Sequence, residues 1–523
     1  MTVNTNNQAK QQAISALEKV WINPASLVSY HSSGFILIVA TSIERAQSVA
    51  NQLSADFTPY YLLRNQTKKN IDNITYGNLT SIGGYLGSFE ISAQVNNENK
   101  ILMAEDKYFD IVLDLIGEVE TAIVPPFGYY TLDKNTSHTE EMLTEVNQLI
   151  GILDKPKFLN LDTSLCVHNR NKTELCQRCI DVCPADAIRS NGNYVEANIN
   201  LCHGCGGCSS VCPTGAISYA YPTIDDQAKK MHSLMSTYLN AGGTSAKILF
   251  HSADNLTLLP HMMENVLPIA LEEVGCLGLE SFLYAFCLGA ESVIVHCADE
   301  PTQTLQALDK QTNLMHKILS SLGYNSNASF VQLVEQSSQI SDGITPLSNT
   351  IGMIDLYNKR MRIFAMIDFL YHYPNKNTLS QCDFTADDDA YFGEVLIDEK
   401  LCTLCMACTS VCPTKALSSG DINTPIINFQ ESLCVQCGLC VKSCPENAMQ
   451  LNARLVFSDQ QRSDKRSLNQ DEPFKCIDCG KVFGSTQVVK RMMEKLKGHS
   501  MFTDNKLINL EKCEDCRVKA LFE

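Results

Sequence analysis

The chain has 523 residues, too many for one hydrophobic core, so several domains are expected. Its 45% hydrophobic and 19% charged content is that of a folded globular protein and excludes a disordered or fibrous one. A formal net charge of −17 disfavours nucleic acid and anionic lipid as partners and favours proteins with basic docking patches.

Residues Met1 to Val20 are polar and helix-prone and carry no export signal or twin-arginine pair. The apolar runs around Phe35–Ala40 and Leu267–Cys297 are too short or too acidic to cross a bilayer. A cytoplasmic protein without a membrane span is the expectation, and in a reducing compartment its 24 cysteines read as metal ligands, not disulfides.

The expected fold class is α/β multidomain: two Rossmann-like α/β domains interleaved with two α+β ferredoxin-like modules and a small C-terminal zinc-ribbon-like module. In residues 1–156, Gly34–Ala40, Pro59–Leu63, Phe89–Val95 and Phe109–Leu115 read as strands and Ile43–Leu53 as a helix. The turn Thr41-Ser42-Ile43-Glu44 lacks the glycines of a pyrophosphate loop, and Gly83, Gly84 and Gly87 precede a strand instead of opening a helix. Dinucleotide or flavin binding is therefore unsupported and a docking domain is expected. Asp110 and Asp114 share one strand face and read as solvated.

Residues 157–222 and 393–455 hold an internal repeat. Four segments end in Cys-Pro-x-x-Ala plus an apolar residue, at Cys183, Cys212, Cys412 and Cys444. Three of them have the full spacing Cys-x2-Cys-x2-Cys-x3-Cys-Pro: Cys202/Cys205/Cys208/Cys212, Cys402/Cys405/Cys408/Cys412 and Cys434/Cys437/Cys440/Cys444. Thiolates two residues apart lie on a loop that curls around one face of a cubane, and small residues such as Gly204, Gly206 and Gly207 let the backbone approach it. In the remaining segment nine residues, Val167 to Leu175, separate Cys166 from Cys176 before Cys179 and Cys183 resume the pattern, which reads as a looped-out insertion. His168 is an alternative ligand to Cys166, although a solvated loop histidine is the plainer reading, and His203 sits among ligands without needing to be one. Short apolar strands, Lys157–Leu161, Tyr194–Ile199, Glu394–Ile397 and Thr424–Phe429, frame the segments in modules too small to fold well without metal.

These segments resemble two-cluster ferredoxins, in which the fourth cysteine of each run ligates the neighbouring cluster. The resemblance implies four [4Fe-4S] clusters. Cys166, Cys176, Cys179 and Cys212 hold cluster 1, and Cys202, Cys205, Cys208 and Cys183 hold cluster 2. Cys402, Cys405, Cys408 and Cys444 hold cluster 3, and Cys434, Cys437, Cys440 and Cys412 hold cluster 4. By ligand counting, four such units bring the charge to about −25.

Residues 223–345 read as a βαβ-type domain: strand Ala246–Phe250, helix Leu277–Leu288, strand Ser292–His296, helix Gln303–Leu322 and strand Ser329–Leu333. Cys276-x-Gly278, Ala285, the run Gly289 to Cys297 and Leu322-Gly323 resemble the delta subunit of methyl-viologen-reducing hydrogenase. That resemblance implies a [2Fe-2S] domain linking hydrogenase or formate dehydrogenase to heterodisulfide reductase. The family has further cysteines where this chain reads Ala298-Asp299-Glu300-Pro301, so Cys276, Cys287 and Cys297 read as buried cysteines packing as small hydrophobes, with a further cluster as the alternative. Residues 346–392 read as a helical linker, with a long helix Ile351–Tyr371 carrying Arg360 and Arg362 on its polar side and Cys382 incidental in a polar stretch.

In residues 456–523, Cys476-x2-Cys479-Gly480 and Cys513-x2-Cys516 lack the Cys-Pro ending, and a helix-prone stretch from Thr486 to Lys497 joins them. The pattern fits a four-thiolate structural zinc site, with a fifth iron-sulfur cluster as the alternative, and His499 reads as a surface residue. Taken whole, the architecture resembles the large 4Fe-4S binding proteins of proteobacteria that occur alongside formate dehydrogenase. It implies an electron-transfer subunit relaying electrons between that enzyme, or another redox protein, and an acceptor. The alternatives are an oxidoreductase subunit with an unrecognised flavin or nucleotide site and an iron-sulfur assembly or sensing protein. No residue set for independent substrate chemistry stands out.

Overall fold

A computed structural model of the chain describes residues 2–520 apart from 65–72, 118, 132–138, 171–172, 193, 253–262, 299, 325–328, 337–338, 342, 345–346, 348–349, 353–357, 374–377, 422, 498 and 500–506. Asp299 and residues 353–357 of the expected linker helix therefore lie outside the described residues.

The N-terminal sheet has five parallel strands in the order Ile74–Tyr76, Thr58–Leu63, Phe35–Ala40, Ile111–Asp114, Tyr129–Thr131. Phe35–Ala40 lies at its centre, buried on both faces, which accounts for its unbroken apolar run. One face packs on the helices Ile43–Ala50 and Thr139–Val146 through Ile36, Ile38, Ala46, Leu143 and Val146. The other packs on an antiparallel sheet of Asn78–Tyr85, Ser88–Val95 and Glu98–Leu102 through Leu37, Val39, Phe89 and Ile91.

Asp110 and Asp114 are buried within this unit, not solvated. Oδ2 of Asp110 accepts the backbone N–H groups of Ser33 (2.9 Å) and Phe35 (2.8 Å). Asp114 accepts those of Ile116 and Gly117 and the Tyr129 hydroxyl (3.0 Å). Both carboxylates tie loops to the ends of inner strands, where backbone donors would otherwise be orphaned.

The helix Thr2–Leu17 does not pack on this sheet. Ala9 and Ala13 are buried in the core of the central unit, against the helix Ile224–Asn240, and Asn6 Oδ1 accepts Thr244 N–H at 3.0 Å. That central unit has four parallel strands in the order Val266–Leu271, Lys247–Ser252, Ser292–His296, Val331–Val334. The helices Leu279–Cys287 and Thr302–Ser321 cover it. Val266–Leu271 was not anticipated as a strand. Its core also takes in Ile363, Met366, Ile367 and Leu370 of the helix Lys359–Tyr371, together with Tyr391, Phe392 and Phe457.

Two expectations for the linker are corrected here. Arg360 is only 8% exposed and points inward. Cys382 sits in the strand Gln381–Asp383, paired with Arg454–Val456, and its thiol is buried in the central core, so it is not part of a solvated stretch. Among the described residues no helix is long and apolar enough to cross a membrane.

Candidate iron-sulfur centres

Both Cys modules are built from short antiparallel strand pairs. Leu159–Leu161 pairs with Ile217–Tyr219 and Ile188–Ser190 with Val195–Ala197 in the first; Gly393–Ile397 pairs with Met449–Ala453 and Leu417–Ser419 with Ile426–Phe429 in the second. In each repeat the third cysteine is the second residue of a short helix: Arg178–Asp181, Gly207–Val211, Ala407–Val411 and Leu439–Lys442. The third residue after every Cys-Pro cysteine, Asp186, Gly215, Lys415 and Asn447, has positive φ. That turn folds a backbone N–H back onto sulfur: Ala187 on Cys183 (3.3 Å), Leu417 on Cys412 (3.4 Å) and Ala448 on Cys444 (3.3 Å). The repeated Cys-Pro-x-x-Ala ending is thus a device for donating to a thiolate. The insertion Val167–Leu175 leaves as a two-residue strand pair, Asn169–Arg170 with Thr173–Glu174, closed by Leu175 N–H on His168 O at 3.0 Å.

The sixteen cysteines of these repeats gather in four sets of four, with the fourth cysteine exchanged between sets in each module. Cys166, Cys176, Cys179 and Cys212 line one small cavity with Pro213 and Val195. Burial, with Cys212 and Cys166 adding to it, pushes the Cys176 thiol up to about 11 against the pull of Arg178. Cys412, Cys434, Cys437 and Cys440 line a matching cavity with Val395 and Leu439, and burial together with Cys434 and Cys412 pushes Cys437 up to about 11. Cys205 rises to about 12 through burial and the nearby Cys183 and Cys202. Cys408 does the same through burial and Cys402, Cys405 and Cys444. Four converging thiols that resist ionising together fit a cationic iron core, whose charge would favour the thiolate form of all four on binding.

The sets are themselves neighbours. Cys208 is raised chiefly by burial but also by Cys179, and Cys440 likewise by Cys408, which joins the two sets within each module. Cys437 also responds to Cys176 of the other module, and a Cβ on Gly438 would stand 3.8 Å from the Leu175 side chain. Among the sixteen, only Cys405 is exposed.

Cationic side chains back three of the ligand loops. Lys155 donates to the carbonyls of Asn200 (2.9 Å) and Cys202 (2.7 Å) and lies over the Tyr30 ring. Burial lowers it to about 8 despite the nearby Cys202. Lys359 donates to the carbonyls of Ser209 (2.7 Å) and Ser210 (2.9 Å), between Cys208 and Cys212. Arg360 reaches the Cys434 carbonyl. None of the three was singled out as a site residue from the sequence, because each comes from an element far away along the chain. His168, expected in solvent, is buried, with Nδ1 2.7 Å from Cys176 O and Nε2 2.8 Å from Ser190 Oγ. It orients the loop. Nε2 of His203 is buried without a hydrogen-bond partner among the described residues.

At the C-terminus the sulfurs of Cys476, Cys479, Cys513 and Cys516 all lie within 4.8 Å of one another, with Cys479 and Cys513 3.6 Å apart. A tetrahedral ion with 2.3 Å bonds to sulfur needs sulfurs about 3.8 Å apart, so this set fits one ion rather than a cubane. Burial raises the Cys476 thiol, but the N–H groups of Cys513, Cys479 and Asp478 outweigh it and hold the thiol at about 6. Gly480, at φ +73°, makes the knuckle turn. Cys276, Cys287 and Cys297 have separate surroundings: the first bonds Glu273 O and Gln227, the second Met366 O, the third Val334 O.

Comparison with known proteins agrees with this chemistry. Residues 173–221 match the LdpA Fe-S cluster-binding domain, and residues 401–449 and 426–481 each match a 4Fe-4S dicluster domain. An uncharacterized ferredoxin of Methanocaldococcus jannaschii is 40% identical over 53 residues, 9% of this chain and 69% of the relative. The chain belongs to the ferredoxin family of iron-sulfur proteins. A second uncharacterized ferredoxin of that organism is 44% identical over 61 residues, 11% of this chain and 34% of the relative. Hydrogenase-4 component A of Escherichia coli (strain K12) is 48% identical over 83 residues, 14% of this chain and 37% of the relative. The chain spans little more than a third of the length of these last two relatives. Cys166 lies ahead of the first residue of the LdpA match, on the near side of the looped-out insertion.

Proposed function

We propose that this ferredoxin-family chain relays electrons through four [4Fe-4S] clusters between a redox enzyme and an acceptor. Cluster 1 sits on Cys166, Cys176, Cys179 and Cys212, and cluster 2 on Cys202, Cys205, Cys208 and Cys183. Cluster 3 sits on Cys402, Cys405, Cys408 and Cys444, and cluster 4 on Cys434, Cys437, Cys440 and Cys412. Each cluster, when bound, accepts and releases one electron at low potential. The observation that carries the reading is the approach of the two modules to each other, with Cys176 near enough to raise Cys437 and Leu175 3.8 Å from a Cβ placed on Gly438. It favours a file of sites in the order 2, 1, 4, 3, an arrangement that stiffening alone would not require.

The protein's own part is to bury and space the sites. At one end Cys405 is exposed, which suits exchange with a docked partner. At the other, Tyr30 and Lys155 cover the Cys202 loop, and Gly275 presses on Cys205. The resemblance to proteins found alongside formate dehydrogenase makes that enzyme the proposed partner, and the similarity to a hydrogenase component supports a partner of that general class. The N-terminal unit serves as a docking domain, and the C-terminal four-cysteine site holds structural zinc.

Anaerobic purification with metal analysis tests the reading. We expect about sixteen iron atoms and one zinc per chain, and broadened, mutually coupled paramagnetic signals after full reduction. Far less iron, or uncoupled signals from isolated clusters, would refute it.

A further inference from the structure

We propose that Arg360 is the counter-ion of the cluster held at Cys434, raising its reduction potential and fastening the two ferredoxin modules together at the junction of the file. The inference rests on the relay reading and adds a residue that sets where an electron dwells along it.

The guanidinium is buried and donates only to carbonyls: Nε to Ser432 O (2.6 Å), Nη1 to Tyr391 O (3.1 Å) and Nη2 to Cys434 O (2.5 Å). The rings of Phe364 and Phe392 lie on it, each centroid 5.0 Å away. Among the described residues no carboxylate comes within ion-pair reach of it. The nearby acids are already engaged, Glu431 by Arg454 and Arg466 and Asp368 by Arg462.

A buried charge without an opposite charge is among the costliest arrangements in a protein. A guanidinium keeps its proton in proteins at neutral pH, so Arg360 stays charged. The missing anion is supplied by the site itself. A four-thiolate [4Fe-4S] unit carries about two negative charges when oxidised and gains one more on reduction. A fixed cation at the carbonyl of a ligand favours the reduced form and so raises the potential. When bound, the cluster would take up one electron from a reduced neighbour and pass it on, with no bond made or broken.

Placement makes the effect specific. Lys359, one residue earlier on the same helix, turns to the other module and holds the loop between Cys208 and Cys212. One helix start therefore grips both modules where Cys176 and Cys437 meet.

The test is a potentiometric titration of the iron-loaded full chain, followed by paramagnetic resonance, for wild type, Arg360→Gln and Arg360→Lys. In Arg360→Gln with full iron, the reduced-to-oxidised ratio of one second-module cluster should fall about tenfold at a fixed potential, a shift of about 59 mV to more negative values. Arg360→Lys should restore most of it. Selective loss of about four irons in Arg360→Gln, with full loading of Arg360→Lys, would equally show that the charge is needed. Unchanged potentials in a fully loaded Arg360→Gln would overturn the proposal. So would iron loss in both Arg360 variants, which would show that fork geometry matters and charge does not. A wild type lacking reducible clusters would instead sink the relay reading.

Discussion

Gly206→Ala should loosen the first module far more than the equivalent change at Gly438. Both glycines cap the short helix that carries a third cysteine, and both have positive φ, +81° and +78°. An alanine in that conformation costs about 1–2 kcal/mol at either site. Their surroundings differ. A Cβ at Gly206 would stand 2.5 Å from Cys276 N and 2.6 Å from its Cα, both backbone atoms of the central unit, whereas one at Gly438 would meet only Leu175 at 3.8 Å. Forcing the loop away from Cys276 adds an overpacking cost of about 1–3 kcal/mol. The difference between the variants corresponds to roughly 5- to 150-fold in the rate of local opening. Iron release to a chelator in dilute urea under anaerobic conditions, followed as loss of visible absorbance, reads that rate. Met406, which occupies the same place in the third loop at φ +60°, shows that the conformation alone admits a side chain. If Gly206→Ala released iron no faster than Gly438→Ala, the argument that the central unit presses on this loop would be wrong.

Cys513→Ser should remove one zinc per chain while leaving iron and visible absorbance in place, as measured by elemental analysis; loss of iron from that variant would assign the site to iron. Burial pushes the Glu300 carboxyl from 4.5 up to about 7, so the folded protein binds more protons than the unfolded chain in that interval. Stability should therefore fall as pH rises from about 4.5 to about 7 and then level off, and Glu300→Gln should flatten the trend in thermal scans across that range. Asp110→Ala leaves the Ser33 and Phe35 N–H groups without their acceptor and should cost about 2–4 kcal/mol in urea unfolding of the N-terminal unit. A change below about 0.5 kcal/mol would mean water replaces the carboxylate there.

The chemistry was legible wherever ligand spacing is itself the signal. Cys402 through Cys444 announce a dicluster because the loop must wrap one object, and the short strands beside them follow. Residues whose roles depend on distant packing were not legible. Arg360 looked solvent-facing because nothing near it in sequence reveals that Ser432 and Cys434 fold against its helix. Asp110 looked solvated because its partners, Ser33 and Phe35, lie in and just after the turn that leads into another strand, and a parallel sheet covered on both faces leaves these strand ends little water. Val266–Leu271 was missed because Pro268 and a short apolar run do not separate a strand from a buried helix. The meeting of Cys176 with Cys437 depends on how the linker folds back, which no local pattern encodes.

The seating of Thr2–Leu17 against Ile224–Asn240 has a consequence for how the chain is made. The helix Thr2–Leu17 leaves the ribosome well before Ile224–Asn240 and lacks that resting surface until the later helix has been synthesised, so the five-stranded unit between them must form while the strap ahead of it hangs loose. Clipping or bulky tagging near Ala9 and Ala13 should accordingly weaken the distant central core and spare the sheet that follows in sequence.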